Sequence, residues 1–258
     1  DLEANRERIA RGMDTLSQPL AVGHFLIAKR GQADMLLQMG RLVEAETLYR
    51  EILERAAREF SPSHPSFHLY IEGMVKVLTQ QGRLGDARAL AEASLAQQIK
   101  QGFSPESRII TVTRRRLASI YVAQGNWPAA HTQYQAIQAA LAKDANLRAR
   151  LGRGDMDWAL TLLRIGQPVA AEQMMGNLLA DESRRFGEDD HELAETRGIY
   201  AMTLAANGKT DEALGMFRQA VPALLQAQRE ASEEEASTTS RRLVVILEAF
   251  LDLLYSLQ

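Results

Sequence analysis

The sequence predicts an all-α solenoid of five antiparallel helix pairs, with an extra helix at each end. Three columns of residues that recur along the 258-residue chain carry this prediction. Five glycines lie 42, 43, 41 and 42 residues apart, an alanine follows each by five positions, and a small residue precedes each by seven. A fixed period of this length is typical of stacked repeats that contact only their neighbours. The glycines are Gly40, Gly82, Gly125, Gly166 and Gly208, the alanines are Ala45, Ala87, Ala130, Ala171 and Ala213, and the small residues are Ala33, Val75, Ala118, Ala159 and Ala201.

Each glycine separates two stretches whose apolar residues have helical spacing, such as Tyr200 and Leu204 before Gly208 and Ala213 after it. We expect the glycine to end the first helix, because a residue without Cβ adopts the left-handed conformation at low cost. The alanine allows the second helix to approach the first closely. Four positions after the alanine stands a mostly large residue, which we expect to fill the space between pairs. These residues are Tyr49, Ala91, Tyr134, Met175 and Phe217.

The elements follow in order from these columns. We predict an amino-terminal capping helix over residues 1–18 and a carboxy-terminal segment over residues 231–258 that ends in a helix. This segment begins within a polar break at residues 229–240, which contains three consecutive glutamates. Pro128 is expected near the start of its helix, where no intrahelical donor is lost. The five predicted pairs occupy approximately residues 19–62, 63–104, 105–146, 147–187 and 188–230.

The last predicted helix is apolar over more than half of its circumference. A terminal cap in a repeat array normally presents a polar outer face, so we expect only one face of this helix to lie on the last pair. Two partners stay open for the other face: a domain that follows in the chain, or a second copy of the chain in a homodimer. The apolar stripe consists of Leu243, Leu247, Phe250, Leu254 and Leu257.

Composition excludes several classes of protein. The net charge of −3 argues against a general nucleic-acid binder, which normally has a basic excess. The chain contains no cysteine, so it has no disulfides, thiolate metal ligands or cysteine nucleophiles. No run of residues is long and apolar enough to span a membrane. The absence of cysteine and a first residue other than methionine are compatible with an exported protein, and the compartment stays open.

The recurring small residue, glycine, alanine and aromatic residue resemble the tetratricopeptide repeat over residues 19–230. The usual unit has 34 residues, and units of about 42 residues are similar to the subtype of kinesin light chains and many bacterial proteins. The link DANLRARLGRGD, which begins at Asp144, departs from that subtype's pattern. The resemblance implies a right-handed superhelix whose first helices form a concave groove for a peptide or protein segment, and it slightly favours the cytoplasm.

The family's groove positions can be carried onto this chain by their distance from each glycine. Five of the resulting residues are basic and three are acidic, a mixture that suits a peptide or protein ligand with some acidic groups. The predicted groove residues are Arg30, Asp34, Glu72, Lys76, Arg115, Ser119, Arg153, Met156, Arg164, Glu195 and Met202.

The remaining motifs in the sequence do not indicate a catalytic site or a metal site. Arg114, Arg115 and Arg116 fan around a helix, so at most one of them is expected to reach the groove. His64 and His68 have a metal-ligand spacing, but Pro65 lies between them and no acidic residue completes a set. No phosphate loop, nucleophile elbow or zinc-protease helix occurs. The predicted function is therefore a protein-binding scaffold without enzymatic activity, cofactor or metal.

Two alternative functions stay open beside the scaffold. The chain could be the regulatory amino-terminal region of a larger bacterial enzyme, such as a caspase-like peptidase, because long repeat arrays often precede such domains. The final helix could instead drive a structural homodimer.

Overall fold

The computed structural model describes residues 22–60, 64, 66–152, 154–187, 190–230 and 236–258. Within these ranges the chain is helical and contains no strand, which confirms the all-α class. The predicted capping helix over residues 1–18 lies outside the described residues. The chain forms two compact units, residues 1–90 and 91–258.

The described helices are numbered in chain order. Helix α1 is described over residues 22–38. The others are α2 Leu42–Glu59, α3 Ser66–Gln80, α4 Leu84–Lys100, α5 Arg108–Ala123, α6 Trp127–Lys143, α7 Ala145–Leu151, α8 Met156–Arg164, α9 Pro168–Glu182, α10 His191–Ala206, α11 Thr210–Glu230 and α12 Ala236–Tyr255. Pro128 is the second residue of α6.

The five recurring glycines lie in the turns between helices, and each has a φ between 70° and 78°. At every turn the N–H of the residue after the glycine donates to a carbonyl five residues earlier, as Asn126 does to Tyr121 at 2.8 Å. The five donor–acceptor distances range from 2.8 to 3.0 Å. This is the bond that closes a helix whose next residue is left-handed, and it explains why glycine recurs at this place.

The first unit shows why the alanine and aromatic columns recur. Ala45 and Tyr49 of α2 are completely buried, and Lys29 of α1 pairs with Glu51 of α2 at 2.8 Å. Gly73 of α3 lies directly against the ring of Tyr49, because a Cβ at this position would be 2.1 Å from the Tyr49 Cζ atom. The tyrosine therefore fills the space between α2 and α3 only because residue 73 has no side chain.

In the second unit, helix pairs stack on one another through a continuous hydrophobic core that runs from Ala118 of α5 to Ile246 of α12. The pairs are α5 with α6, α8 with α9 and α10 with α11. Each second helix also contacts the first helix of the next pair, and first helices contact one another from α5 to α8 to α10. The TPR-like arrangement of antiparallel helix pairs is confirmed.

The link at Asp144 departs from the repeat in the structure as well. Asp144 accepts a hydrogen bond from the Leu147 N–H at 2.9 Å and thereby starts the seven-residue helix α7. Asp155 caps the next helix in the same way, so α8 has only nine residues. The first helix of this pair is short because two aspartates, eleven positions apart, each begin a helix of their own.

Helix α12 occupies the place of the first helix in a sixth pair, since it contacts both α10 and α11. Gly198 of α10 gives it room, because a Cβ there would be 2.6 Å from the Ile246 Cδ1 atom. Phe250 packs on Phe217 of α11 with ring centroids 5.1 Å apart. Its opposite face is exposed, with exposed fractions of 50% at Val244 and 61% at Leu251.

Candidate functional site

A cleft of about 350 Å³ opens in the second unit between α5, the start of α8, the end of α9 and the side chain of Arg242 on α12. Three of the predicted groove residues, Arg115, Ser119 and Met156, line it together. We name this site the inner cleft. Its other lining residues are Thr111, Val112, Arg116, Leu151, Gly154, Asp155, Asp157, Leu178, Glu182 and Arg242.

Arg115 is held in the inner cleft by two groups of the α7–α8 link. Its Nη2 donates to the Leu151 carbonyl at 2.7 Å, and its Nε lies 3.6 Å from the Asp155 Oδ2 atom. The link therefore closes one side of the cleft around a cation from α5. An ion pair at this separation is weaker than a charge-assisted hydrogen bond, so Arg115 retains donors for a bound group.

Asp155 is held in place through one oxygen of its carboxylate. Its Oδ1 accepts from the Trp158 N–H at 2.7 Å, which caps α8, and from the Tyr134 hydroxyl at 3.1 Å. The Oδ2 atom is buried and has no hydrogen-bond partner among the described residues. Burial raises the pKa of the Asp155 carboxyl, and the charge of Asp157 adds to the rise, whereas Arg115 opposes it.

Arg242 connects α12 to α10 and α8 through ion pairs. Its Nη1 donates to the Glu195 Oε2 atom of α10 at 2.7 Å, and its Nη2 lies 3.6 Å from the Asp157 Oδ1 atom of α8. Glu195 is 3% exposed, so its charge is compensated inside the protein. Among the groove residues of the last pair, Glu195 is covered by α12, and Met202 is partly buried against the core.

The remaining predicted groove residues lie elsewhere. Arg164 is exposed at the end of α8 and lies over the Trp127 ring, 5.6 Å from its centroid. In the first unit the charges pair along their own helices: Arg30 with Asp34 at 3.4 Å and Lys76 with Glu72 at 3.3 Å. Arg153 lies outside the described residues.

The inner cleft contains charged residues that the sequence did not single out. Asp157 and Glu182 line it, and Arg242 reaches it from a helix that is distant in sequence. Arg115 and Arg116 both line the cleft, although the helical fan was expected to bring only one arginine there. Arg114 instead donates to Gln133 of α6 at 2.9 Å. The cap of α8 was the available signal for Asp155, because an aspartate just before a helix is a common N-cap.

The two histidines with a metal-ligand spacing lie in different surroundings. His68 is buried in α3, whereas His64 stands before that helix and stacks on Phe60. No group of three or more potential ligands that could hold a metal ion is found in the part of the chain that the structure describes. None of the helices within the described ranges is long and apolar enough to cross a membrane.

Sequence profiles place the repeats in a known family. A tetratricopeptide-repeat profile matches residues 33–66, and a second tetratricopeptide-repeat profile matches residues 73–93. These matches include the turns at Gly40 and Gly82, which recur with the same geometry along the chain. The chain contains tetratricopeptide repeats.

Solved structures assign this tetratricopeptide-repeat protein to the fold of the kinesin-light-chain type. The kinesin light chain TPR-like repeats of Podosopora anserina share 20% identity over 79% of this chain and 96% of that chain, with a TM-score of 0.58. BtubC (BKLC) from P. vanneervenii shares 21% identity over 83% of this chain and 85% of that chain, with a TM-score of 0.59. No curated protein matches the sequence. At these identities the likeness establishes the fold and not a ligand.

Proposed function

We propose that this tetratricopeptide-repeat protein is a non-catalytic scaffold that holds a segment of another protein in the inner cleft. The observation that carries the proposal is the convergence of Arg115, Ser119 and Met156 in one cleft with the partly exposed carboxylate of Asp155. Concave sites that combine apolar area with a few convergent polar groups are the usual places for ligands.

The charges of the inner cleft are compatible with a segment that has both polar and apolar side chains and no large net charge. Three arginines and three carboxylates line it, so no strong field of either sign is expected at its mouth. Arg115 and Ser119 can form hydrogen bonds to the backbone of a ligand, and Met156 would contact an apolar side chain.

An acidic group on the ligand stays a prediction of the sequence. Such a group would pair with Arg115 by replacing Asp155, which lies 3.6 Å away, or with Arg242 by replacing Asp157 at the same distance. Both exchanges conserve the number of ion pairs. We therefore expect acidic groups to be tolerated in the ligand and to add little affinity.

The test is a selection of random twelve-residue peptides on the purified protein, followed by affinity measurements with the best peptide. Ser119→Phe places a ring in the inner cleft, and we expect it to weaken binding at least ten-fold. Gln219→Phe on the exposed side of α11 is the matched control and should leave the affinity unchanged. Circular dichroism establishes that both variants are folded. Equal affinity of a folded Ser119→Phe variant would contradict the proposal, as would a library that yields no binder.

A second candidate function, self-association through α12, is favoured by the exposure of its outer face. Val244 is 50% exposed, Leu251 61% and Tyr255 80%. Sedimentation at high concentration tests it: a dimer that Leu251→Glu dissociates supports self-association, and a monomer under all conditions rejects it.

A further inference from the structure

A second and larger cleft, of about 660 Å³, lies in the second unit between α6 and α9. The inner cleft is lined mainly by the first helices α5 and α8, whereas the polar side chains of this cleft come from the second helices α6 and α9. It opens where the short helix α7 and the start of α8 replace the longer first helix found in the neighbouring pairs. We name it the amide cleft because of the side chains that line it.

Two rows of polar side chains face each other across the amide cleft. On α6, His131, Gln135 and Gln138 lie three or four positions apart and therefore share one helix face. On α9, Gln173 and Asn177 form the opposite row with the same spacing.

A fifth carboxamide, that of Gln167, stands at the start of α9 and makes no capping hydrogen bond. Within the described residues, none of these five carboxamides is hydrogen-bonded to the protein.

The floor of the amide cleft is apolar and rigid. Trp158 and Leu162 of α8 are 7% and 6% exposed, and Leu141 of α6 is 7% exposed. The Trp158 ring is stacked on Tyr134, with centroids 5.0 Å apart and an angle of 9° between the rings. The two charged lining residues, Arg148 and Asp181, have opposite signs, so they create no net charge in the cleft.

Carboxamides are suited to one kind of ligand in particular. Each carries two N–H donors and a carbonyl acceptor, so it can bond to both groups of a peptide unit and needs no charge on the ligand. The α6 row from His131 to Gln138 extends about 10 Å at 1.5 Å per residue. This length corresponds to about three residues of an extended chain, which rises about 3.3 Å per residue.

We propose that the amide cleft is a second binding site, which holds an extended, uncharged polypeptide segment by its peptide bonds. The carboxamides of α6 and α9 bond to the N–H and carbonyl groups of the segment. An apolar side chain of the segment lies on the floor formed by Leu141, Trp158 and Leu162. The two clefts share Gly154 and Leu178, but the carboxamides line the amide cleft alone, and binding there needs no charge complementarity.

The test uses a capped tetrapeptide, acetyl-Ser-Leu-Ser-Leu-N-methylamide, and nitrogen-15-labelled protein. Addition of the tetrapeptide should shift the side-chain amide resonances of Gln135, Gln173 and Asn177 and the indole resonance of Trp158. The side-chain amide resonance of Gln219, which is exposed on α11, should not shift. A depsipeptide with the same side chains, in which one central peptide bond is an ester, should bind about three- to ten-fold more weakly, since it lacks one N–H donor. Equal binding of the two probes, or equal shifts at Gln219, would overturn the proposal.

Variants separate this site from the inner cleft. Gln135→Leu and Asn177→Leu keep the size of the side chain but remove its hydrogen bonds, so each should weaken the tetrapeptide about three- to ten-fold. Gln219→Leu is the matched control and should change nothing. Ser119→Phe in the inner cleft should also leave this affinity unchanged. If Ser119→Phe abolished binding of the tetrapeptide while Gln135→Leu had no effect, the amide cleft would be rejected as its site.

Discussion

The contact between Gly198 of α10 and Ile246 of α12 allows a quantitative test of how α12 is seated. A Cβ at residue 198 would lie 2.6 Å from the Ile246 Cδ1 atom and 2.9 Å from its Cγ2 atom. Carbon atoms pack at about 3.5–4.0 Å, so Gly198→Ala requires a displacement of about 1 Å. Such overpacking costs about 1–3 kcal/mol, offset by about 1 kcal/mol because alanine is the better helix former.

A double-mutant cycle isolates the contact from helix propensity. Ile246 is completely buried, so Ile246→Ala alone should cost about 2–5 kcal/mol in the free energy of unfolding. In the double variant the alanine methyl at residue 198 occupies part of the space that Ile246 vacates, and the overlap disappears. We expect a favourable coupling free energy of about 1–3 kcal/mol, measured by urea unfolding followed by circular dichroism.

The control replaces Gly215 of α11, where a Cβ would meet no atom within 4 Å. Gly215→Ala should stabilise the protein by about 0.5–1 kcal/mol and show no coupling to Ile246→Ala. Additive effects of Gly198→Ala and Ile246→Ala would refute the seating of α12 on α10.

Three further predictions concern titration and backbone conformation. Burial raises the pKa of the Asp155 carboxyl above its unfolded value of about 3.9. The free energy of unfolding of the wild type should therefore fall, relative to that of Asp155→Asn, as the pH rises from about 3.9 through the raised pKa. Urea unfolding at several pH values measures this difference. Glu46 should behave in the opposite way, because hydrogen bonds from Gln81 and Arg50 lower its pKa to about 2. Its stabilisation, measured against Glu46→Gln, should be complete above about pH 4.3 and fall as the pH approaches 2, and a pH-independent difference would contradict this. Gly82 has a φ of 74°, so Gly82→Ala should lower the free energy of unfolding by about 1 kcal/mol or more. Gly31→Ala inside α1 should raise it by about 0.5–1 kcal/mol. Equal effects of the two substitutions would refute the role of the turn.

The repeated elements were predictable because each depends on residues close in sequence. A left-handed glycine ends a helix through bonds to the preceding turn, and the alanine five positions later lies where the second helix meets the first. Both requirements return with every pair, so the helix turns at Gly125 and Gly166 follow from the same local pattern. The link after Asp144 could be recognised as a departure from the repeat, but the separate seven-residue helix α7 within it was not predicted.

The inner cleft was only partly predictable, because its charges come from distant parts of the chain. Arg115 and Met156 follow from their positions relative to the glycines. Arg242 reaches Glu195 and Asp157 only when α12 is seated on α10, and the sequence separation of 47 residues between Arg242 and Glu195 leaves no periodic signal. The apolar stripe of α12 predicted that the helix would dock, but not that it would cover a predicted groove residue.

The central proposal is that the inner cleft binds a polypeptide segment, and hydrogen exchange tests it most directly. A peptide selected on the purified protein is added, and the exchange of backbone amides is compared with that of the free protein. We predict slower exchange in residues 108–119 of α5 and 156–160 of α8, with α6 unchanged. Protection confined to α6 and α9, or no protection at residues 108–119, would contradict the account.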